Sequence, residues 1–299
     1  YPLSLHDALP ICLAIGLNKR LRKTTNYFIF SLAISDLLTA LFSMPFDVEG
    51  DFTQHQWSKG EFMCNFRVFM YLIAAPTSIL NLMAVSLDRF FAISWPLKYC
   101  TVINPKIALL VIALIWLYTL LFTTVGMFCW PYYEHSVVNG QCFFNIDPYY
   151  SAVNSAVNFI LPTVIMCVIY FIIYTIARKH AKRIAKQEAS FPTVLSCSNE
   201  DSGAITSEKK RISKNIKAAK TIAIIVSTFL LCWMPLTLTS MIVVFCGKKC
   251  LVGINLKLWR VFLVLAYTNS AMNPILYSFF NKEFRKSFLK LFKLQFRFR

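Results

Sequence analysis

Between residues 80 and 93 the chain reads LNLMAVSLDRFFAI, an apolar run that ends on adjacent charges, Asp88 and Arg89. Ionised side chains inside such a run are expensive, so the neighbouring sequence must explain them. The run closes a longer apolar block at 62–87. Comparable blocks lie at 27–46, 107–131, 150–177, 218–245 and 258–280. Each meets the roughly 20-residue length with which a helix crosses a bilayer. Backbone groups in lipid must be satisfied within the segment, so the blocks are expected as helices. A β-barrel would show short alternating segments instead. The 299 residues are 57% hydrophobic and only 15% charged, with mean hydropathy +0.55, which excludes an ordinary soluble domain.

The expected fold class is therefore an all-α membrane protein, a single domain over 1–299. Helices are expected at 27–48, 61–92, 107–130, 150–177, 218–245 and 258–281. The apolar stretch 8–17 is too short to cross and reads as the remnant of a further first helix. Residues 1–10 lack the basic start of a signal peptide and read as non-native or disordered. The segment 178–217 is expected as a polar cytoplasmic loop, disordered near its middle, with basic flanks that extend the neighbouring helices. Residues 282–296 place Phe284, Phe288, Leu289 and Phe292 at helical spacing among Lys and Arg, as in an amphipathic helix lying on a membrane surface.

Basic residues set the orientation. The segments 18–26, 88–106 and 178–220 and the tail after 281 together hold 25 of the 31 Lys and Arg. These are expected on the cytoplasmic side, with the C-terminus. The net charge of +17 thus follows the membrane face and points to anionic membrane lipids, not nucleic acid. Cys64, Cys142, Cys246 and Cys250 fall on the outer side, where disulfides persist. A Cys64–Cys142 bond would pin an outer loop over the bundle, and Cys246 with Cys250 could close a small ring.

Polar groups recur inside the expected spans. Asp36 sits mid-helix, and Ser78, Asn269, Ser270 and Asn273 offer it partners. One carboxylate among hydroxyl and amide oxygens suits a small hard cation such as sodium; a protonated aspartate in a hydrogen-bond network is the other reading. Pro162, Pro235 and Pro274 each remove a backbone donor within a span and are expected to kink it.

These features together resemble a class A (rhodopsin-like) G-protein-coupled receptor, in texture the biogenic-amine branch, over residues 12–296. SLAISDLL (31–38) resembles the second-helix aspartate motif. SLDRFFAISWPLKY (86–99) resembles the third-helix D-R-Y motif, with Phe90 in place of Tyr. Trp116 matches the fourth-helix tryptophan, FILPTVIMCVIY (159–170) the fifth-helix proline, FLLCWMP (229–235) the C-W-x-P motif and NPILY (273–277) the N-P-x-x-Y motif. The resemblance implies a seven-helix bundle with an incomplete first helix. It implies that a bound ligand shifts the bundle and activates a heterotrimeric G protein, with arrestin and a receptor kinase as further partners, at the plasma membrane.

The resemblance also implies residue roles. Asp88 would hold Arg89 at rest, and Arg89 would meet the G protein. Tyr170 and Tyr277 would support the active state. Pro162, Ile79 and Phe229 would form a connector below the ligand, with Pro235, Asn273 and Pro274 at hinges. Asp36, Ser78, Asn269, Ser270 and Asn273 would line a sodium site, and Cys64 and Cys142 would form the outer disulfide.

Departures from the family pattern are equally specific. The first-helix Asn motif is missing, and Asn215 stands where a sixth-helix glutamate often locks the arginine. Pro76 lies unusually within the third helix. Amine receptors carry an aspartate seven residues after the third-helix cysteine; here that position is Tyr71. Its ring can offer a cation about 0.5–2 kcal/mol but no counter-charge. The expected wall takes Tyr71, Leu72 and Ala75 from the third helix and Asn154, Ser155 and Asn158 from the fifth. Trp233, Leu236 and Thr237 complete it from the sixth, and Trp259, Leu263 and Tyr267 from the seventh. This wall is neutral, so Asp47 and Glu49 are the nearest substitute acids for an amine. A nucleoside, lipid or short peptide is the alternative ligand.

A retinal pigment would need a lysine within the last span, and 258–280 has none. No H-E-x-x-H or nucleophile motif and no internal repeat appears, which argues against an enzyme and against many transporter folds.

Overall fold

Each helix boundary in the computed structural model, which describes residues 24–53, 56–131, 134–189, 201–246 and 256–280, traces to a local cause. Helix α1 (Thr24–Phe42) stops at Ser43, and α2 (Met44–Phe52) restarts with a proline in its first turn. Pro45 has no N–H to continue the ladder. The single helix expected at 27–48 is therefore split. Helix α3 (Gly60–Ser94) runs 35 residues without interruption, about 52 Å at 1.5 Å per residue, and forms the centre of the bundle. After the short α4 (Pro96–Val102), Asn104 starts α5 (Pro105–Thr124) by accepting from Ile107 N at 3.0 Å. Pro105 follows it at the first helical position, where no donor is lost.

Pro76 does not break α3. It would deprive the Leu72 carbonyl of its partner, and Thr123 of α5 supplies one: its Oγ1 donates to Leu72 O at 3.1 Å. The expected kink at Pro162 takes another form. Helix α6 (Pro148–Ser155) passes through a π turn at Ala156–Ile160 before α7 (Leu161–Ala189) continues. The wider turn absorbs the carbonyl that Pro162 leaves unpaired. A second π turn, Val125–Cys129, ends α5. Within it Gly126 faces the Tyr150 ring so closely that a Cβ would collide with it.

Both described flanks of the 178–217 segment are helical. Helix α7 extends to Ala189, and α8 (Asp201–Cys246) begins within the same segment. Ala, Lys, Glu and Arg there favour helix over irregular chain. Pro235 is accommodated inside α8, and α9 (Leu256–Phe280) carries the last span. Among the described residues five helical stretches, beginning at Thr24, Gly60, Pro105, Pro148 and Ala219, are long and apolar enough to cross a membrane. The expected helix remnant at 8–17, the loop middle at 190–200, Cys250 and the surface helix at 282–296 lie outside the described residues.

The core is a continuous cluster in which Leu32 of α1, Ile79 and Leu82 of α3, Met166 of α7 and Ile225 and Phe229 of α8 are almost wholly buried. Polar pins cross it. Trp116 Nε1 donates to Ser31 Oγ at 2.9 Å, and the hydroxyls of Thr77 and Thr119 meet at 3.0 Å. Helix α5 by contrast exposes Leu110, Leu114, Leu117 and Leu121, a lipid-facing side for a membrane helix.

At one end of the bundle the Cys64–Cys142 disulfide ties the start of α3 to a small hairpin, β1 (Val137–Val138) and β2 (Gln141–Cys142). Asn139 and Gly140 between the strands both have positive φ, 51° and 72°, the Asn-Gly turn that suits a two-residue hairpin. Trp57 N donates to Gly140 O at 2.6 Å, joining the hairpin to the loop after α2. Cys246 is also disulfide-bonded.

Candidate functional site

Beneath the hairpin lies a cavity of about 560 Å³ between α3, α6, α8 and α9. Helix α3 contributes Tyr71, Leu72 and Ala75, and α6 contributes Asn154 and Ser155. Helix α8 contributes Trp233, Leu236 and Thr237, and α9 contributes Trp259 and Leu263. Two of the expected wall residues stand elsewhere. Asn158 is turned by the π helix toward α5, where its Oδ1 accepts from Tyr118 OH at 2.8 Å while its Nδ2 donates to Asn154 Oδ1 at 2.8 Å. Tyr267 lies behind Tyr71, ring centroids 6.4 Å apart, and its hydroxyl donates to Asp47.

Other wall residues escape the motif reading. Phe144, Ile146 and Pro148 descend from the segment after Cys142, and Tyr150, Ser151 and Phe159 come from α6 and its π turn. The Asn-Gly hairpin was a local signal for the first three. The depth at which the loop sits depends on the disulfide and was not readable from spacing. Among the described residues the lining carries no charged side chain.

The acids expected to substitute are both engaged. Glu49 Oε1 takes the Lys59 ammonium at 2.7 Å near the surface. Asp47 pairs with the Arg67 guanidinium and accepts from Tyr267. Arg67 is 8% exposed, and its guanidinium lies over the rings of Phe144 and Trp57, at 5.4 and 5.9 Å.

The cavity floor leads into the core. Trp233 contacts Tyr71 at 6.2 Å, Phe159 at 5.4 Å and Phe229 at 5.9 Å between ring centroids. Phe229 and Ile79 are fully buried beneath it. Nearby, Asp36 accepts from Ser270 Oγ at 3.0 Å, Ser78 Oγ at 3.4 Å and Asn273 Nδ2 at 2.9 Å. Asn269 does not reach Asp36; its Oδ1 is buried with no partner among the described residues. A carboxylate, two hydroxyls and the orphaned Oδ1 of Asn273, whose Nδ2 already meets Asp36, fit a small hard cation.

At the opposite end Asp88 holds Arg89 in an ion pair. Its Oδ2 also accepts from Thr25 Oγ1 at 2.6 Å, and its Oδ1 accepts from Tyr99 OH of α4 at 2.7 Å. Arg89 further contacts Thr25. The opening pair of charges is thus clasped by α1 and α4. Tyr170 OH lies 3.2 Å from Ser86 Oγ one turn above. Pro274 and Tyr277 belong to α9, with side chains outside the described set.

Comparison with known proteins agrees with this arrangement. The model of the 7 transmembrane receptor (rhodopsin family) matches residues 8–277. The chain is similar to the histamine H2 receptor of Homo sapiens, 35% identical over 287 residues, covering 94% of this chain and 74% of that protein. It is similar to octopamine receptor beta-2R of Chilo suppressalis, 31% identical over 295 residues, covering 93% and 73%. It also resembles the D(1B) dopamine receptor of Xenopus laevis, 33% identical over 307 residues, covering 96% and 66%. These relatives are receptors, not enzymes. With an all-α membrane bundle and an amine-receptor-like sequence, the chain belongs to the rhodopsin family of seven-transmembrane receptors.

Proposed function

We propose that the chain is a signalling receptor of the plasma membrane in which a small ligand in the cavity beneath the hairpin activates a heterotrimeric G protein at the Arg89 end. The observation that carries this reading is the clasp on Arg89: Asp88 of α3, Thr25 of α1 and Tyr99 of α4 converge on one guanidinium at the end of the bundle opposite the cavity. A ligand that alters the packing of Trp233 on Phe229 shifts the bundle only by its unequal affinity for two arrangements. Release of Arg89 from Asp88 would expose its guanidinium to the G protein, with the C-terminus on that cytoplasmic side. Arrestin, a receptor kinase and anionic lipid would meet the same face. Asp36, Ser78, Ser270 and Asn273 would hold a sodium ion, whose charge would balance the buried carboxylate and favour one arrangement.

The neutral lining favours ligands held by stacking and neutral hydrogen bonds. Within the amine-receptor-like frame this leaves a weakly basic aromatic, nucleoside, lipid or short-peptide ligand ahead of a strongly paired ammonium.

Nucleotide exchange on a panel of purified G proteins, with the chain reconstituted in lipid discs, tests the reading. Arg89→Gln should reduce basal or ligand-driven exchange to background in protein whose folding is confirmed by a cooperative thermal transition. Exchange unaltered by that substitution would remove the coupling role assigned to Arg89.

A further inference from the structure

The wall of the cavity is neutral, yet a buried ion pair lies one ring behind it. Tyr71 lines the cavity and packs edge-on against Tyr267, with centroids 6.4 Å apart; the Tyr267 hydroxyl donates to Asp47. Phe144 also lines the cavity and lies 5.4 Å beneath the Arg67 guanidinium. Tyr71 and Phe144 meet edge to face at 5.6 Å. These two rings form the partition between the cavity and the Arg67–Asp47 pair. The Asp47 side chain is 18% exposed and that of Arg67 9%, so water screens the pair little.

An acid placed so close to a ligand cavity is an attractive partner for an ammonium. Here its charge is already balanced by Arg67, and its other oxygen by Tyr267. A ligand ammonium would have to displace a guanidinium that is itself held over two aromatic rings. Removing Arg67 would take away the guanidinium paired with this little-exposed carboxylate, and a ligand cation could then stand in its place.

We propose that Arg67 is an internal counter-ion that masks Asp47, so that the cavity selects ligands without a strong ammonium, and that Asp47 is a latent ammonium site. Arg67 is then the specificity-determining residue of the cavity. This rests on the cavity being the ligand site, and the experiment separates the two.

Saturation binding of tritiated histamine, dopamine and octopamine is measured on membranes bearing the full chain. The wild type should bind them weakly, and Asp47→Asn, which leaves the Arg67 charge unbalanced beside the cavity, should bind them no tighter. Arg67→Gln should bind at least one amine about tenfold or more tighter, and the double variant Arg67→Gln/Asp47→Asn should lose the gain. Arg67→Lys, which keeps the charge, should show little gain. Should Arg67→Gln not reach the membrane, Arg67→Met keeps the apolar stem that packs on Phe144 and Trp57.

Tyr71→Asp serves as the reference, because it puts a carboxylate directly on the cavity wall. A gain in Tyr71→Asp without one in Arg67→Gln or Arg67→Met would overturn the masking proposal alone. No gain in any of the three would overturn the ligand reading of the cavity with it. Tight wild-type amine binding abolished by Asp47→Asn would show that the acid is unmasked, and would equally overturn the proposal.

Discussion

Thr123 shows how one side chain lets a helix keep an unfavourable residue. Pro76 removes the donor that Leu72 O would take, and Thr123 Oγ1 replaces it at 3.1 Å from a neighbouring helix. In a lipid-embedded segment no water can do this. Thr123→Val should therefore cost about 1–3 kcal/mol, read as a lower thermal unfolding midpoint in detergent, while Thr123→Ser should stay near wild type. In a Pro76→Ala background, where the ladder is restored, the same Thr123→Val change should cost much less; equal losses in both backgrounds would refute the assignment. Asp36 poses the related problem of a buried carboxylate, met by Ser78, Ser270 and Asn273. If sodium is held there, replacing sodium by N-methylglucamine should alter basal nucleotide exchange in the wild type. Asp36→Asn should abolish that difference, and a persistent sodium effect in the variant would place the ion elsewhere.

At the scale of elements, breaks in the helices place the chemistry. The interruption at Ser43 and restart at Met44 give α2, whose Asp47 reaches Arg67 of α3 and Tyr267 of α9. The π turn before Pro162 rotates Asn158 onto Tyr118 and leaves Phe159 at the cavity. The short helix α4 has a comparable role at the other end, since its Tyr99 donates to Asp88 at 2.7 Å. A hydrogen bond to a charged group contributes about 1.5–3 kcal/mol, here in favour of the clasped arrangement. Tyr99→Phe is expected to raise basal nucleotide exchange about fivefold or more. Unchanged basal exchange, with surface expression intact, would show that α4 does not hold the switch.

Over the whole molecule, the Cys64–Cys142 bond joins positions 78 residues apart and anchors to α3 the segment whose Phe144 and Ile146 line the cavity. Phe144 in turn underlies Arg67. Cys142→Ser should destabilise the protein by about 2–5 kcal/mol, measured by thermal unfolding. Hydrogen exchange in the segment 134–148 should rise at the same time. Protection there equal to wild type would mean that the hairpin and Trp57 suffice to hold the loop.

The membrane class, the helical blocks and the motif residues Asp36, Asp88, Arg89, Trp233 and Pro235 were all legible in the sequence. Lipid tolerates few backbone solutions, and apolar length with isolated polar groups reports them directly. The family resemblance also pointed to Tyr71, Leu72 and Ala75, which line the cavity. The pairing of charges was another matter. Asp47 read as an available acid, whereas its partners stand 20 and 220 positions away. Only the packing of α2, α3 and α9, with Tyr267 against Tyr71, brings those groups together. Composition fixes how many charges a membrane protein must neutralise, while tertiary packing chooses which of them neutralise each other and so which remain for a ligand.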